Sequence, residues 1–461
     1  MKLNHQTSKK VWVFLSSALI IGLSSCSDSQ EPKFSKAPLK GPTTGILTDA
    51  APVAGVAYTT SSGSSGTTDT QGMYRYNHGD NVKFQLGELI IGDIKATGIV
   101  TPIELAAGNE NKLQNLPVLL QSLDSDNDLS NGILIPAEAA AALKPTLNLS
   151  SDPVSFANSA ILKTARDAAG LFGDIKSAEA ASTDFLARGI NLLSSHIWVK
   201  YDDTNASVIR VAADGSGQYL QGEATADDSC DENRVCGGGT IIKAGVEYGI
   251  ANASQFDTRG FNLNSSSSVD TNLRAGLSHP RPTWRIHTNG DELIISDIVV
   301  AQRAREQSGV FGELFHIARP IELSSDDEPI LTEIKEKRYA KMDNNASGIV
   351  GAWALDQNSV KTKLFLFFPN NKFMLIDPIG TTFQSEQVEC GTPGVEFASY
   401  AYDTNSKTLN MRSFIYDTNG GCIGFSSSSD KPISFDISAN GNTAVLSKQG
   451  EASITLYRVS K

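Results

Sequence analysis

Histidine is scarce in this chain, and none of the common catalytic signatures occurs. Six histidines are spread over 461 residues. His78, His196, His279, His287 and His316 show no metal-ligand spacing, and read as loop and strand residues. There is no His-Glu-x-x-His, no Gly-x-Ser-x-Gly, no phosphate loop and no Gly-x-Gly-x-x-Gly. Those absences remove the usual marks of a zinc protease, a serine hydrolase and a nucleotide enzyme. Positive charge is outnumbered, with 39 Lys and Arg against 51 Asp and Glu. A net charge of −12 argues against nucleic acid as a partner. Aromatic residues are sparse, at 7%, and fall mostly at alternating positions, where core packing is the default. After the first 25 residues no apolar run is long enough for a membrane-spanning helix.

One apolar run is present, from Val11 to Leu23, behind Lys2, Lys9 and Lys10. It is short and closed by small residues, so it reads as a processed signal over residues 1–25. Leu23-Ser24-Ser25-Cys26 follows and resembles the bacterial lipobox. The resemblance implies that Cys26 carries a thioether-linked diacylglycerol and anchors the mature chain. By resemblance to the lipoprotein sorting rule, Ser27 after the cysteine favours export to the outer membrane, whereas an Asp at that place would favour retention; here the Asp is one place later, Asp28. Residues 26–43 are polar and contain Pro32, Pro38 and Pro42, too little apolar surface to fold, and are expected to form a flexible tether. Losing the three leader lysines moves the net charge from −12 to −15, the charge of a well-solvated body.

Setting Cys26 aside leaves Cys230, Cys236, Cys390 and Cys422. An exported compartment permits disulfides, and local pairing, Cys230 with Cys236 and Cys390 with Cys422, is the simplest of the three connectivities. A zinc site is the alternative, but the spacing is wrong and no histidine lies near.

The composition is β-like: glycine-rich, with short alternating apolar runs between turn residues. A first unit, 44–110, contains Val53-Ala54-Gly55-Val56-Ala57-Tyr58, then Thr68-Asp69-Thr70-Gln71-Gly72-Met73-Tyr74-Arg75-Tyr76, then Gly79-Asp80-Asn81-Val82-Lys83-Phe84-Gln85-Leu86, and closes on Thr101-Pro102-Ile103-Glu104-Leu105. This ordered set resembles a module of proteobacterial cell-surface and adhesin-like proteins. The resemblance implies a small β-sandwich of the carboxypeptidase-regulatory-like type. It covers one short stretch of the chain and implies a fold and a location, not a ligand.

Residues 111–195 read as a helical segment, with helices over Ala137–Leu143, Phe156–Leu171 and Thr183–Leu193, the last capped by Thr183-Asp184. Residues 196–323 read as a central β domain, 324–347 as a charged linker with one helical turn, and 348–461 as a C-terminal antiparallel barrel or sandwich. One internal echo joins Gly87–Ile94 to Asp291–Ile298, explained equally by duplication and by shared strand chemistry. In the last unit, Gly351-Ala352-Trp353 and Arg458 resemble the base of lipocalin-type barrels, where a tryptophan packs under an arginine of the final strand. That resemblance implies Trp353 and Arg458 as residues of a ligand-binding barrel; a tryptophan that simply plugs the core is the other reading.

Asp124-Ser125-Asp126-Asn127-Asp128 places carboxylates at alternate positions, a spacing suited to a hard cation. Calcium on Asp124, Asp126 and Asp128 is the expected metal if one binds, although the glycine and the closing glutamate of an EF-hand loop are missing (Leu129, Ile135). No other cofactor is expected. The combined expectation is a mainly β, multi-domain lipoprotein of the outer membrane. It would be non-catalytic and engaged in adhesion, surface-structure assembly or recognition of a surface polymer, host matrix or another surface protein. A small-molecule carrier with a lipocalin-like barrel is the first alternative. A carbohydrate-active enzyme using facing carboxylates is the second.

Overall fold

Strict alternation builds the first unit. In Asn81–Leu86 every second residue, Val82, Phe84 and Leu86, is buried, as a strand with one face on a core requires. Two sheets result. Pro42–Leu47 pairs with Met73–Asn77 and Ile99–Val100, and Ala57–Thr60 lies between Ser65–Thr67 and Asn81–Leu86, which pairs on with Leu89–Lys95. The structure, a computed structural model, describes residues 40–227, 241–242, 244–272, 276–278, 285–288, 290, 292–301, 330–345, 347–380, 391–419, 424–426, 433–448 and 450–459. Tyr74 centres the first core, with its ring centroid 5.0 Å from Phe84, 5.3 Å from Tyr76 and 5.8 Å from Tyr58. Thr101–Leu105 closes the unit as a helix, Pro102–Ala106. Its start is a capping box: Thr101 accepts from Ile103 N, and Glu104 reaches back to Thr101 N at 2.6 Å.

The helical segment follows, and two sequence expectations change. The stretch 156–171 is not one helix but two, Pro153–Ala157 and Ala160–Ala168. The break falls at Ser159, whose hydroxyl caps the second helix through Ile161 N and so satisfies a donor the continuous helix would not have left open. The next helix starts earlier than Thr183-Asp184 implied. It is Ala178–Arg188, capped by Ser177 through Ala180 N, and runs into a 3₁₀ turn, Gly189–Ser195.

The rest of the fold is two closed, eight-stranded antiparallel barrels. The first barrel uses Trp198–Tyr201, Ala206–Val211, Gln218–Ala224, Gly245–Asp257, Gly260–Asp270, Arg285–Thr288, Glu292–Ala301 and Ile330–Lys341. The second uses Gly351–Ala354, Leu364–Phe367, Lys372–Asp377, Gly394–Asp403, Thr408–Asp417, Ile433–Ile437, Thr443–Lys448 and Ile454–Val459. Each closes by pairing its first strand with its eighth, Trp198 opposite Lys341 and Trp353 opposite Arg458. The charged stretch expected as linker is therefore largely a strand, Ile330–Lys341, which completes the first barrel. Its charges are compatible with a strand because they stay at the surface: Glu336, Lys337 and Arg338 are all exposed. Arg338 pairs with Glu292 on the neighbouring strand at 2.9 Å, while the next residue, Tyr339, is buried. The echo between Gly87–Ile94 and Asp291–Ile298 falls on a strand of the first unit, Leu89–Lys95, and a strand of the first barrel, Glu292–Ala301.

The barrels pack side by side through the outer faces of their first four strands. Val199, Val208, Leu220 and Val246 of the first barrel share one apolar core with Leu364, Met374, Ile376 and Phe397 of the second. Both faces of these strands are therefore buried along the seam. Gly222 lies tight against the second barrel: a Cβ there would be 2.5 Å from Ile376 Cδ1. Arg210 reaches across to the carbonyls of Ser359 (2.9 Å) and Gln357 (2.6 Å). Tyr201 stacks on Phe368 at 4.2 Å.

Candidate functional site

The second barrel is shut at one end. Trp353, fully buried, donates Nε1 to Ile349 O at 2.9 Å. The Arg458 guanidinium lies 4.0 Å from the centre of its ring. Its nitrogens donate to the carbonyls of Gly441 (2.6 Å), Gly348 (2.7 Å) and Val350 (3.0 Å). Cation–π attraction and three carbonyl partners together compensate the desolvation of that charge. Above this floor Phe367, Phe373, Tyr400 and Phe435 fill the bore, with Phe367 5.0–5.4 Å from the other three.

The packing stops short of the opposite end. A cavity of about 370 Å³ opens there, between the 355–363 connection and the turn at Glu451 and Ala452. Its walls are Phe365, Leu375, Phe425, Leu446 and Ile454, with Leu355 at the rim. That volume sits near the lower bound for small-molecule sites, about 300–1,000 Å³. Alternation explains the wall: Phe365, Leu375, Leu446 and Ile454 are inward positions of four strands, and Phe425 comes from the connection after the fifth strand.

Two lysines border the apolar wall. Lys363 Nζ lies 3.0 Å from Asp377 Oδ2, whose carboxylate is completely buried. Lys448 sits 5.4 Å from the Phe425 ring centre and donates to Gly424 O. Burial holds its ammonium below the usual lysine range, opposed by the Glu451 carboxylate 3.9 Å away. Behind Phe425 lies Glu396, fully buried in the fourth strand. It accepts from Phe425 N at 2.8 Å and Ser426 N at 3.1 Å. Burial pushes its carboxyl above the usual range, and the two backbone donors pull it back.

The residues singled out in the sequence are placed differently from one another. Trp353 and Arg458 come together, but they form the floor and are not among the residues that line the cavity. Asp124, Asp126 and Asp128, the residues expected to take calcium if one binds, share a loop, and among the described residues no three His, Cys, Asp or Glu side chains gather around a common metal position. These carboxylates brace their own loop. Asp124 accepts from Leu134 N, Asp126 from Asp128 N and Asn131 Nδ2, and Asp128 from Ser130 N, all at 2.8–3.0 Å. Cys26, Cys230, Cys236, Cys390 and Cys422 lie outside the described residues. Sequence reading missed Lys363, Phe365, Leu375, Phe425, Lys448 and Glu396. One signal was available: Glu396 interrupts an otherwise apolar strand start, where an acid must find a buried partner.

No protein-family model, no curated protein and no solved structure matches this chain.

Proposed function

We propose that this protein is an exported, lipid-anchored, non-catalytic binding protein whose C-terminal barrel takes a small apolar ligand at its mouth. The observation that carries this reading is the 370 Å³ cavity with its aliphatic and aromatic wall. Its support is the closed barrel, whose floor is fixed by Trp353 and Arg458 and whose upper bore is left unfilled. The leader and the Leu-Ser-Ser-Cys box support the anchor.

The test is a titration with N-phenyl-1-naphthylamine, a neutral apolar fluorophore. One saturable site per chain is expected. Leu375→Trp, which fills the cavity from its wall, should weaken that site at least tenfold while far-UV circular dichroism stays unchanged. A non-saturable signal, or an unchanged affinity in a folded Leu375→Trp, overturns the reading.

A second reading, attachment or recognition at the cell surface, is favoured by the N-terminal unit, whose two sheets fit the sandwich that the adhesin-like resemblance implies. It expects protease treatment of intact cells to remove a tag placed after Lys461. A tag that survives until the outer membrane is permeabilised means a periplasmic body, and sinks this second reading.

A further inference from the structure

The two barrels carry one device at one register. Across strands one to five, Trp198, Ile209, Gln221, Glu247 and Asp270 stand opposite one another in turn. Trp353, Phe365, Leu375, Glu396 and Asp417 do the same in the second barrel. Three short sequences recur in order: Gly245-Val246-Glu247 and Gly394-Val395-Glu396, Asp270-Thr271-Asn272 and Asp417-Thr418-Asn419, Gly276-Leu277-Ser278 and Gly424-Phe425-Ser426.

Their hydrogen bonds match as well. Val246 N donates to Thr271 Oγ1 and Thr271 N to Val246 O, each at 2.9 Å. Val395 N donates to Thr418 Oγ1 and Thr418 N to Val395 O, again at 2.9 Å. Glu247 accepts from the Ser278 amide and hydroxyl, both at 2.9 Å, where Glu396 accepts from the Phe425 and Ser426 amides. Gly276 and Gly424 touch these carboxylates so closely that a Cβ at either would strike the oxygens. Chance strand chemistry does not reproduce a register, a threonine bridge and a glycine contact together.

The copies differ in what lies beneath the pinned loop. In the first barrel the Leu375 position is Gln221, which donates to Glu223 at 2.6 Å and accepts from Leu277 N at 2.9 Å. The ion pair of Lys363 and Asp377 is replaced by Ser207 donating to Glu223 at 2.7 Å. The corresponding space in the first barrel thus holds hydrogen-bonded side chains, whereas in the second the same loop leans Phe425 against the cavity.

We propose that the barrels are two copies of one ancestral unit, and that Glu396 is the positioning residue of the second: it pins the Gly424–Ser426 segment so that Phe425 forms a wall of the binding cavity. The proposal rests on the ligand-binding reading of that cavity, and goes beyond it in assigning a buried residue that never meets the ligand.

The experiment uses the full chain and two readouts, amide hydrogen exchange and N-phenyl-1-naphthylamine affinity. Glu396→Gln should speed exchange at Phe425 and Ser426 at least tenfold and weaken the probe about fivefold. Glu247→Gln should speed exchange at Ser278 alike and leave the probe affinity unchanged. In a Phe425→Ala background Glu396→Gln should have no further effect on affinity, because the residue acts through that ring. If Glu396→Gln fails to fold, Gly424→Ala displaces the same segment with the glutamate intact, and the same two changes are expected. Unchanged exchange in Glu396→Gln or Gly424→Ala overturns the pin, and so does an affinity loss that persists without Phe425. Failure of the wild-type chain to bind the probe would instead remove the cavity reading, with exchange still deciding whether Glu396 holds the loop.

Discussion

Trp353→Ala is expected to lower the stability of the C-terminal barrel by about 3–5 kcal/mol, the range for removing a large aromatic from a packed core. Three losses combine. The indole is fully buried against the Phe435 ring, 5.4 Å away edge-on. Its Nε1 donation to Ile349 O disappears. Arg458 keeps its carbonyl partners but loses the ring beneath it, so a partly buried charge is left less compensated. Trp353→Phe retains the apolar contact and should cost roughly half as much. Urea unfolding followed by barrel-strand hydrogen exchange measures both. A Trp353→Ala loss under 1 kcal/mol would mean that the floor is not a packed element of the fold.

Asp49→Asn is expected to stabilise the protein above neutral pH by something on the order of 2–4 kcal/mol, and to flatten its stability between pH 4 and 7. Asp49 is 4% exposed, under the helix Glu110–Ser122. One carboxylate oxygen accepts from Gln121 Nε2 at 2.8 Å. Burial raises its pKa from 3.8 to about 7, against the pull of Gln121, the Ala50 backbone amide and the more distant Lys176 charge. The folded state therefore holds this proton up to near neutrality, while the unfolded chain releases it near 3.8. The stability it contributes is complete below the unfolded value and lost as pH rises through the folded one. An asparagine carries the uncharged form permanently and keeps an oxygen for Gln121. Urea midpoints at pH 4, 5.5 and 7.5 give the answer. Parallel pH profiles for wild type and variant would show that Asp49 does not hold a proton in the folded protein.

Much of the architecture was legible because alternation is a local property. The runs at Leu364–Phe367 and Ile454–Val459 announce strands, and the pairing of Trp353 with Arg458 follows from two short elements at the two ends of one unit. What alternation cannot announce is a strand whose outward residues are charged and whose inward ones are few. Ile330–Lys341 hid in this way, its Lys335-Glu336-Lys337-Arg338 run reading as linker. The cavity was hidden for another reason. Its wall is assembled from the second, third, seventh and eighth strands plus Phe425, residues that only closure brings together. The matched glutamates escaped notice because each recurring sequence is three residues long and the spacers between them differ in length, so the register emerges only from the pairing.

The apolar seam between the barrels, with Gly222 packed tightly within it, has a kinetic meaning besides its packing. Two separate subunits meeting through such a seam would part as they are diluted, each at the mercy of the other's concentration. Joined on one polypeptide, the halves meet at an effective concentration set by the short stretch 342–350 and not by how many molecules the cell makes. A single copy is therefore already a paired one.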